Sequence, residues 1–139
     1  MGANVAMVAA VHQLEARMLE SGKTVDLEVR HHLAYGTYTR ELHIPAGVVL
    51  TGKTHKHSCI NILAKGTIMV ADGDTSRELT APAVFVSEPG TKKAGFALTD
   101  TVWVNTHPWD GELDLKAIEA AFITPDIKLI SKESAPCLG

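Results

Sequence analysis

The chain has 139 residues, enough for one domain with one hydrophobic core. With 45% hydrophobic and 21% charged residues, its composition is that of a globular protein and excludes a disordered chain. The formal net charge of −3 provides no basic surface for nucleic acid, and no apolar run approaches the ~20 residues of a membrane span. We therefore expect neither nucleic acid nor a membrane as a partner.

The first part of the chain, residues 1–23, is predicted to contain a helix. Apolar residues recur there at helical spacing, at Met7, Val11, Leu14 and Met18. Gly22 then follows as a helix stop signal. Because a small barrel offers this stripe little to pack against, we expect it to join copies of the chain in a homo-oligomer, a dimer or more.

The cysteine content and the N-terminal sequence both bear on location. Cys59 and Cys137 do not form a disulfide framework, which favours a reducing compartment. The N-terminal residues lack the basic start of a signal peptide. We expect a cytoplasmic protein.

The middle of the chain, residues 24–110, is predicted to be a barrel of short strands. Nine strands are expected, at residues 24–32, 38–44, 48–53, 59–66, 67–70, 76–80, 83–86, 94–98 and 101–107. An Asp-Gly pair at residues 72–73 is a hairpin signal between the fifth and sixth. Short strands separated by closely spaced turns predict an antiparallel sandwich or barrel.

The last part of the chain, residues 111–139, is predicted to contain a second helix and a tail. The helix is expected over residues 112–122, where Leu115, Ile118 and Phe122 form an apolar stripe. Acidic residues are expected to fill its first turn, as the helix dipole prefers.

Three potential metal ligands stand at alternate positions just before an apolar strand. On an extended chain His55, His57 and Cys59 would share one face. Imidazole and thiolate bind zinc and other transition metals, and three such ligands leave a position open for water or substrate. His107, on the last strand, is a candidate fourth ligand. The imidazole reference pKa of ~6.5 predicts that metal affinity falls below about pH 6.

The alternative interpretation of these residues is structural. Buried cysteine is common in protein cores, and a histidine beside a lysine is typical of a solvated turn.

The central segment, about residues 36–107, resembles a single-domain cupin. The sequences PAG at 45–47, HKH at 55–57 and INILAKGTIMV at 60–70 resemble the first cupin motif. The sequence APAVFVSEPGTKKAGFAL at 81–98 resembles the second. The resemblance implies a mainly β fold, a cupin-like double-stranded β-helix or jelly roll, with an α-helix at each end. The order of these motifs also resembles small uncharacterised cupin-like proteins of bacteriophages, which implies the host cytoplasm or the virion as the location.

Two positions depart from the cupin motifs. Cys59 stands where the family has a glutamate, and Lys93 stands where it has a histidine, so neither motif transfers an activity. A Lys93 that faces the cup would hold a carboxylate or phosphate and would repel a metal dication. Alternatively, Lys92 and Lys93 are solvated turn residues.

The expected site follows from the ligand chemistry and the resemblance together. One divalent metal (zinc, iron, nickel or manganese) is expected at His55, His57, Cys59 and His107, with no organic cofactor. A small anionic ligand is expected beside Lys93 and Asn61.

Three functions are compatible with this site. The first is a metal-dependent lyase, isomerase or hydrolase acting on a small anionic molecule, since loss of the carboxylate ligand argues against an oxygenase-type triad. The second is a cup that sequesters a small ligand. The third is a non-catalytic assembly module, for example of a phage particle, with the jelly roll as scaffold. Fold alone does not choose between them.

Overall fold

The computed structural model describes residues 25–72 and 75–123. The predicted N-terminal helix, the tip of the Asp-Gly hairpin and the C-terminal tail lie outside the described residues.

The described residues form nine strands and one helix. They are β1 (Glu28–Ala34), β2 (Thr37–Ile44), β3 (Val49–Thr51), β4 (Cys59–Lys65), β5 (Thr67–Asp72), β6 (Thr75–Thr80), β7 (Ala83–Ser87), β8 (Ala94–Ala97), β9 (Thr101–Pro108) and α1 (Leu115–Phe122). A five-stranded sheet has the order β1-β2-β9-β4-β7, and a four-stranded sheet has the order β3-β8-β5-β6. All pairings are antiparallel, and the two sheets form the double-stranded β-helix that the sequence predicts.

Side chains alternate between the two faces of each strand, and the inward-facing ones form an apolar core that gives way to a polar end. In β9 every second residue is buried, and the series runs Thr101, Trp103, Asn105, His107. The apolar core lies between the sheets around Leu42, Ile44, Leu50, Leu63, Ile68, Val70, Ala97 and Trp103. Beyond Trp103 the inward positions of the larger sheet become polar. We call this polar end, formed by the inward side chains of β2, β4, β7 and β9, the cup.

Helix α1 lies across the cup. The Phe122 carbonyl accepts a hydrogen bond from the Lys56 backbone N–H at 2.8 Å, and Ile123 forms a β-bridge with His55. The helix begins three residues later than expected because the Asp114 side chain caps it, accepting a bond from the Ala117 N–H at 3.2 Å. No acidic residue therefore occupies its first turn. In the part of the chain that the structure describes, no helix is long and apolar enough to cross a bilayer.

Candidate metal centre in the cup

Three of the expected metal ligands come together in the cup. His55, Cys59 and His107 each place one ligand atom within 4.8 Å of the other two. Cys59 begins β4, His107 lies near the end of the neighbouring β9, and His55 precedes β4 where it bridges to Ile123. Zinc bonds of 2.0–2.3 Å place tetrahedral ligand atoms about 3.5 Å apart, so the group is slightly wider than a closed metal site.

His57 does not belong to this group. The expectation that it shares a face with His55 and Cys59 requires an extended chain, but β4 begins only at Cys59 and residues 56–57 form a bend. The His57 side chain is exposed, and its ring lies nearly perpendicular to the Phe122 ring, with the two centroids 6.3 Å apart. The structure therefore corrects the placement of His57, and His107 from the adjacent strand supplies the second imidazole.

The surroundings keep both imidazoles neutral. Burial lowers the pKa of His55 to about 4, with further contributions from His107 when it is protonated and from the positive charges of Lys93 and Arg40. Burial and then Arg40 lower the pKa of His107, also to about 4. Both rings are therefore in the uncharged form that binds metal ions. Burial also raises the pKa of the Cys59 thiol, an effect that a metal ion would reverse.

One atom of this group is left without a hydrogen bond. Nδ1 of His55 is buried and has no partner among the described residues. A buried polar atom of this kind costs roughly 1–3 kcal/mol. A metal ion bound there would remove that cost, so the two imidazoles and the thiol fit a zinc-like ion by their chemistry, their protonation and this unsatisfied nitrogen.

A buried network of amide side chains contacts the Cys59 thiol through Asn105. Asn61 Oδ1 accepts hydrogen bonds from Asn105 Nδ2 at 2.6 Å and from Trp103 Nε1 at 3.2 Å. Asn61 Nδ2 donates to Ser87 Oγ at 2.7 Å. Asn105 Nδ2 also donates to Cys59 Sγ at 3.7 Å. The side-chain amide of Asn61, which was expected to bind a ligand, thus forms hydrogen bonds within the protein and orients Asn105 toward the thiol.

Asn105 and Ser87 were not among the expected site residues. Their signal in the sequence is a polar side chain two residues after an inward aromatic residue of the same strand, Trp103 for Asn105 and Phe85 for Ser87. That signal identifies an inward polar residue but not its partners.

Lys93 faces the cup. Its Nζ donates a short hydrogen bond to Ser87 Oγ, and its charge lowers the pKa values of His55 and Cys59. Lys92 is fully buried, with 0% of its surface exposed. Lys92 and Lys93 are therefore not the two solvated turn residues of the alternative interpretation.

Two cavities flank the candidate ligands. The smaller one, about 30 Å³, is lined by His55, Asn61, Ser87, Lys93 and Asn105 among others. The larger one, about 280 Å³, lies beneath α1 and is lined by His107. The candidate centre therefore lies between a space suited to one water molecule and a space suited to a small molecule.

Comparisons with known proteins show similarity at the level of fold. No protein-family model and no curated protein matches the sequence. The structure is similar to a cupin superfamily protein from Desulfitobacterium hafniense, with a TM-score of 0.52, 8% identity, and coverage of 63% of this chain and 82% of that one. A cupin 2 domain-containing protein from Halorhodospira halophila has a TM-score of 0.52 and 16% identity, and the match covers 69% of this chain and 77% of that one. A cupin-2 domain containing protein from Shewanella frigidimarina has a TM-score of 0.50 and 14% identity, and the match covers 70% of this chain and 98% of that one.

These neighbours define the class of fold. Together with the two antiparallel sheets, they identify the cupin double-stranded β-helix. Identities this low establish the fold and leave the activity to be argued from the site. The site to argue from is this chain's own His55, Cys59 and His107 group.

Proposed function

We propose that this is a cupin-type metal-binding protein in which His55, Cys59 and His107 hold one divalent transition metal, beside a cup that receives a small anion. The observation that carries the proposal is the convergence of two neutral imidazoles and a thiol within 4.8 Å. The unpartnered Nδ1 of His55 supports it, because structural cores rarely leave such an atom buried.

The ligand types favour some metals over others. Thiolate and imidazole suit zinc, and also iron or nickel, whereas manganese prefers oxygen ligands. No carboxylate belongs to the group among the described residues, so we favour zinc. A zinc ion held by three protein ligands supplies a Lewis acid and a water of lowered pKa, which suits a lyase, isomerase or hydrolase.

The protein's own groups prepare the thiol and attract the anion. The hydrogen bond from Asn105 and the charge of Lys93 both favour the thiolate of Cys59 against the effect of burial. Lys93 and Arg40 contribute positive charge near His55, since both lower its pKa. Positive charge beside a partly dehydrated site favours an anionic ligand.

The proposal is tested by metal analysis of protein purified without a metal-affinity tag. We expect stoichiometric zinc, with loss of metal in His55→Ala and His107→Ala. Cys59→Ser is expected to weaken binding less, if water replaces the thiolate. His57→Ala is the matched control and is expected to keep its metal, because that ring lies outside the group. Folded wild-type protein that takes up no zinc, or a His57→Ala variant that loses it equally, contradicts the proposal.

The pH dependence of zinc binding provides a second test. The reference pKa of imidazole predicts weakening below about pH 6, but burial moves imidazole protonation to near pH 4. Above that range the proton that the metal must displace is the one on Cys59, whose pKa is raised. We therefore expect about one proton released per zinc near neutral pH, and calorimetry in buffers of different ionisation enthalpy measures this number.

An assembly role is the second candidate, and the outer face of the larger sheet favours it. Six apolar residues are adjacent there across three strands: Ile60, Ile62, Val84, Val86, Val102 and Val104. Val84 is 69% exposed and Val86 59%, and β7, which carries both, is an edge strand. Because none of the six is charged, a second copy of this chain could pack on the face without opposing like charges.

The assembly role is tested by light scattering. We expect a dimer for the wild type at micromolar concentration and a monomer for a Val84→Lys, Val86→Lys variant. A monomeric wild type contradicts this role. The contribution of residues 1–23 to assembly, a bacteriophage origin, and the cytoplasm or virion as the location stay predictions.

A further inference from the structure

Helix α1 is short and only partly buried. It has eight residues, fewer than the ~12–15 that an isolated helix needs in water, and Ile118 alone among them is buried. The segment that joins it to β9, residues 109–114, is exposed apart from the half-buried Trp109. An element with one buried residue and an exposed connection is of the kind that opens while the rest of the fold stays intact.

The segment before β4, which carries His55, caps the C-terminal end of α1. The last carbonyl groups of a helix have no partner within it. Lys56 supplies two partners: its backbone N–H donates to the Phe122 carbonyl at 2.8 Å, and its Nζ donates to the Ala120 carbonyl, also at 2.8 Å. His55 itself forms the β-bridge with Ile123. The end of the helix and a candidate metal ligand are therefore bonded to each other.

Two side chains of α1 make further contacts at the larger cavity. The Glu119 carboxylate forms an ion pair with Lys53, and both residues line the cavity. Because both side chains are partly exposed, this contact is weak and can open. The Phe122 ring stacks on His107, with centroids 4.5 Å apart and 25° between the planes. Helix α1 is thus connected to both imidazoles of the candidate metal group.

We propose that α1 is a lid on the larger cavity and that a metal ion bound in the cup holds this lid closed. Leu115, Ile118 and Phe122 form the helical wall of the cavity, so movement of α1 opens its volume of about 280 Å³ to small molecules. A metal that fixes His55 and His107 also fixes the helix bonded to them, and so lowers the population of the open state. By linkage, the closed state binds the metal more tightly by the same factor. The coupling to the metal rests on the proposed function, and the lid itself does not.

Hydrogen exchange of the full chain, followed for single amides by NMR with and without zinc, tests the proposal. The reporters are the N–H groups of Ile118 and Ile123, which α1 protects, and that of Lys56, whose acceptor is the Phe122 carbonyl. In metal-free protein all three should give one common opening equilibrium and exchange faster than the amides of β2 and β9, the interior strands of the larger sheet. Zinc should slow the exchange of all three about 5–150-fold, the usual range of coupling between two sites.

Two variants and a matched control identify the contacts that hold the lid. Glu119→Gln removes the ion pair with Lys53 and should raise the opening equilibrium of the metal-free protein up to about fivefold. Phe122→Ala removes the stacking on His107 and should raise it at least about fivefold. Lys116→Gln is the control and should change nothing, since Lys116 is an exposed charge on the same helix without an ion pair in the described part of the chain.

Four outcomes overturn the inference. They are unequal opening equilibria of the three reporters, exchange of α1 as slow as that of β9 in metal-free protein, unchanged opening in both Glu119→Gln and Phe122→Ala, and zinc uptake that leaves α1 exchange unchanged. Metal content is measured on the same samples. Protein that takes up no zinc would overturn the proposed function and the coupling, while joint, fast opening of Lys56 and α1 in that protein would still support the lid.

Discussion

Acid should destabilise the metal-free protein through the two buried imidazoles. His55 and His107 have pKa values lowered from 6.5 to about 4. Between these values the unfolded chain binds protons that the folded chain does not, so the free energy of unfolding falls as the pH falls. Stability from this source is complete above pH 6.5 and is lost progressively down to about pH 4.

The size of the effect follows from the two shifts. A lowering of about 2.5 pKa units corresponds to about 3 kcal/mol for each imidazole at 1.36 kcal/mol per unit. Against a typical total stability of roughly 5–15 kcal/mol, two such losses would remove much of the fold's stability in acid.

The assay is urea denaturation in the presence of a chelator, at neutral pH and near pH 4. His107→Gln should reduce the loss of unfolding free energy between the two conditions by about 3 kcal/mol. The exposed His57→Gln is the control and should keep the wild-type loss. The comparison uses the difference between conditions, because removing the ring that stacks on Phe122 also changes stability at neutral pH. Equal acid losses in the wild type and His107→Gln would refute the reasoning.

Three further substitutions test the supports of the cup. Asn61→Leu leaves the Trp103 and Asn105 donors without their acceptor and should lower the unfolding free energy by roughly 2–5 kcal/mol, so an unchanged urea midpoint would count against the network. Gly66→Ala should be strongly destabilising, because Gly66 has φ +91° and an added Cβ would lie 2.3 Å from the Asp100 carbonyl oxygen; a thermal midpoint like that of the wild type would contradict this. Asp114→Ala removes the helix cap and should lower the unfolding free energy by about 1 kcal/mol, which urea denaturation of this variant checks.

The elements of this fold could be predicted because their signals are local. Side chains alternate along a strand whatever it pairs with, so each of the nine expected strands is observed within a few residues of its bounds. The second helix was also expected. Its late start depends on one hydrogen bond, from the Ala117 N–H to the Asp114 carboxylate, which the spacing of apolar residues does not predict.

The set of residues in the candidate metal group was only partly predictable from the sequence. Alternation applies inside a strand and fails where the chain bends, which is why His57 separates from Cys59. His107 reaches Cys59 only because β9 pairs with β4, and Asn61 is engaged only because Asn105 lies opposite it.

The tertiary structure alone decided the chemistry of the cup. The sequence by itself determined which residue types are present. These are the imidazoles, the thiol and a lysine at the position where the second cupin motif has a histidine. The low pKa of His55, the unpartnered Nδ1 and the cavity under α1 arise from burial by segments far apart in the chain. Desolvation depends on everything that surrounds an atom, and that surrounding is created only when the strands pair and the helix closes over them.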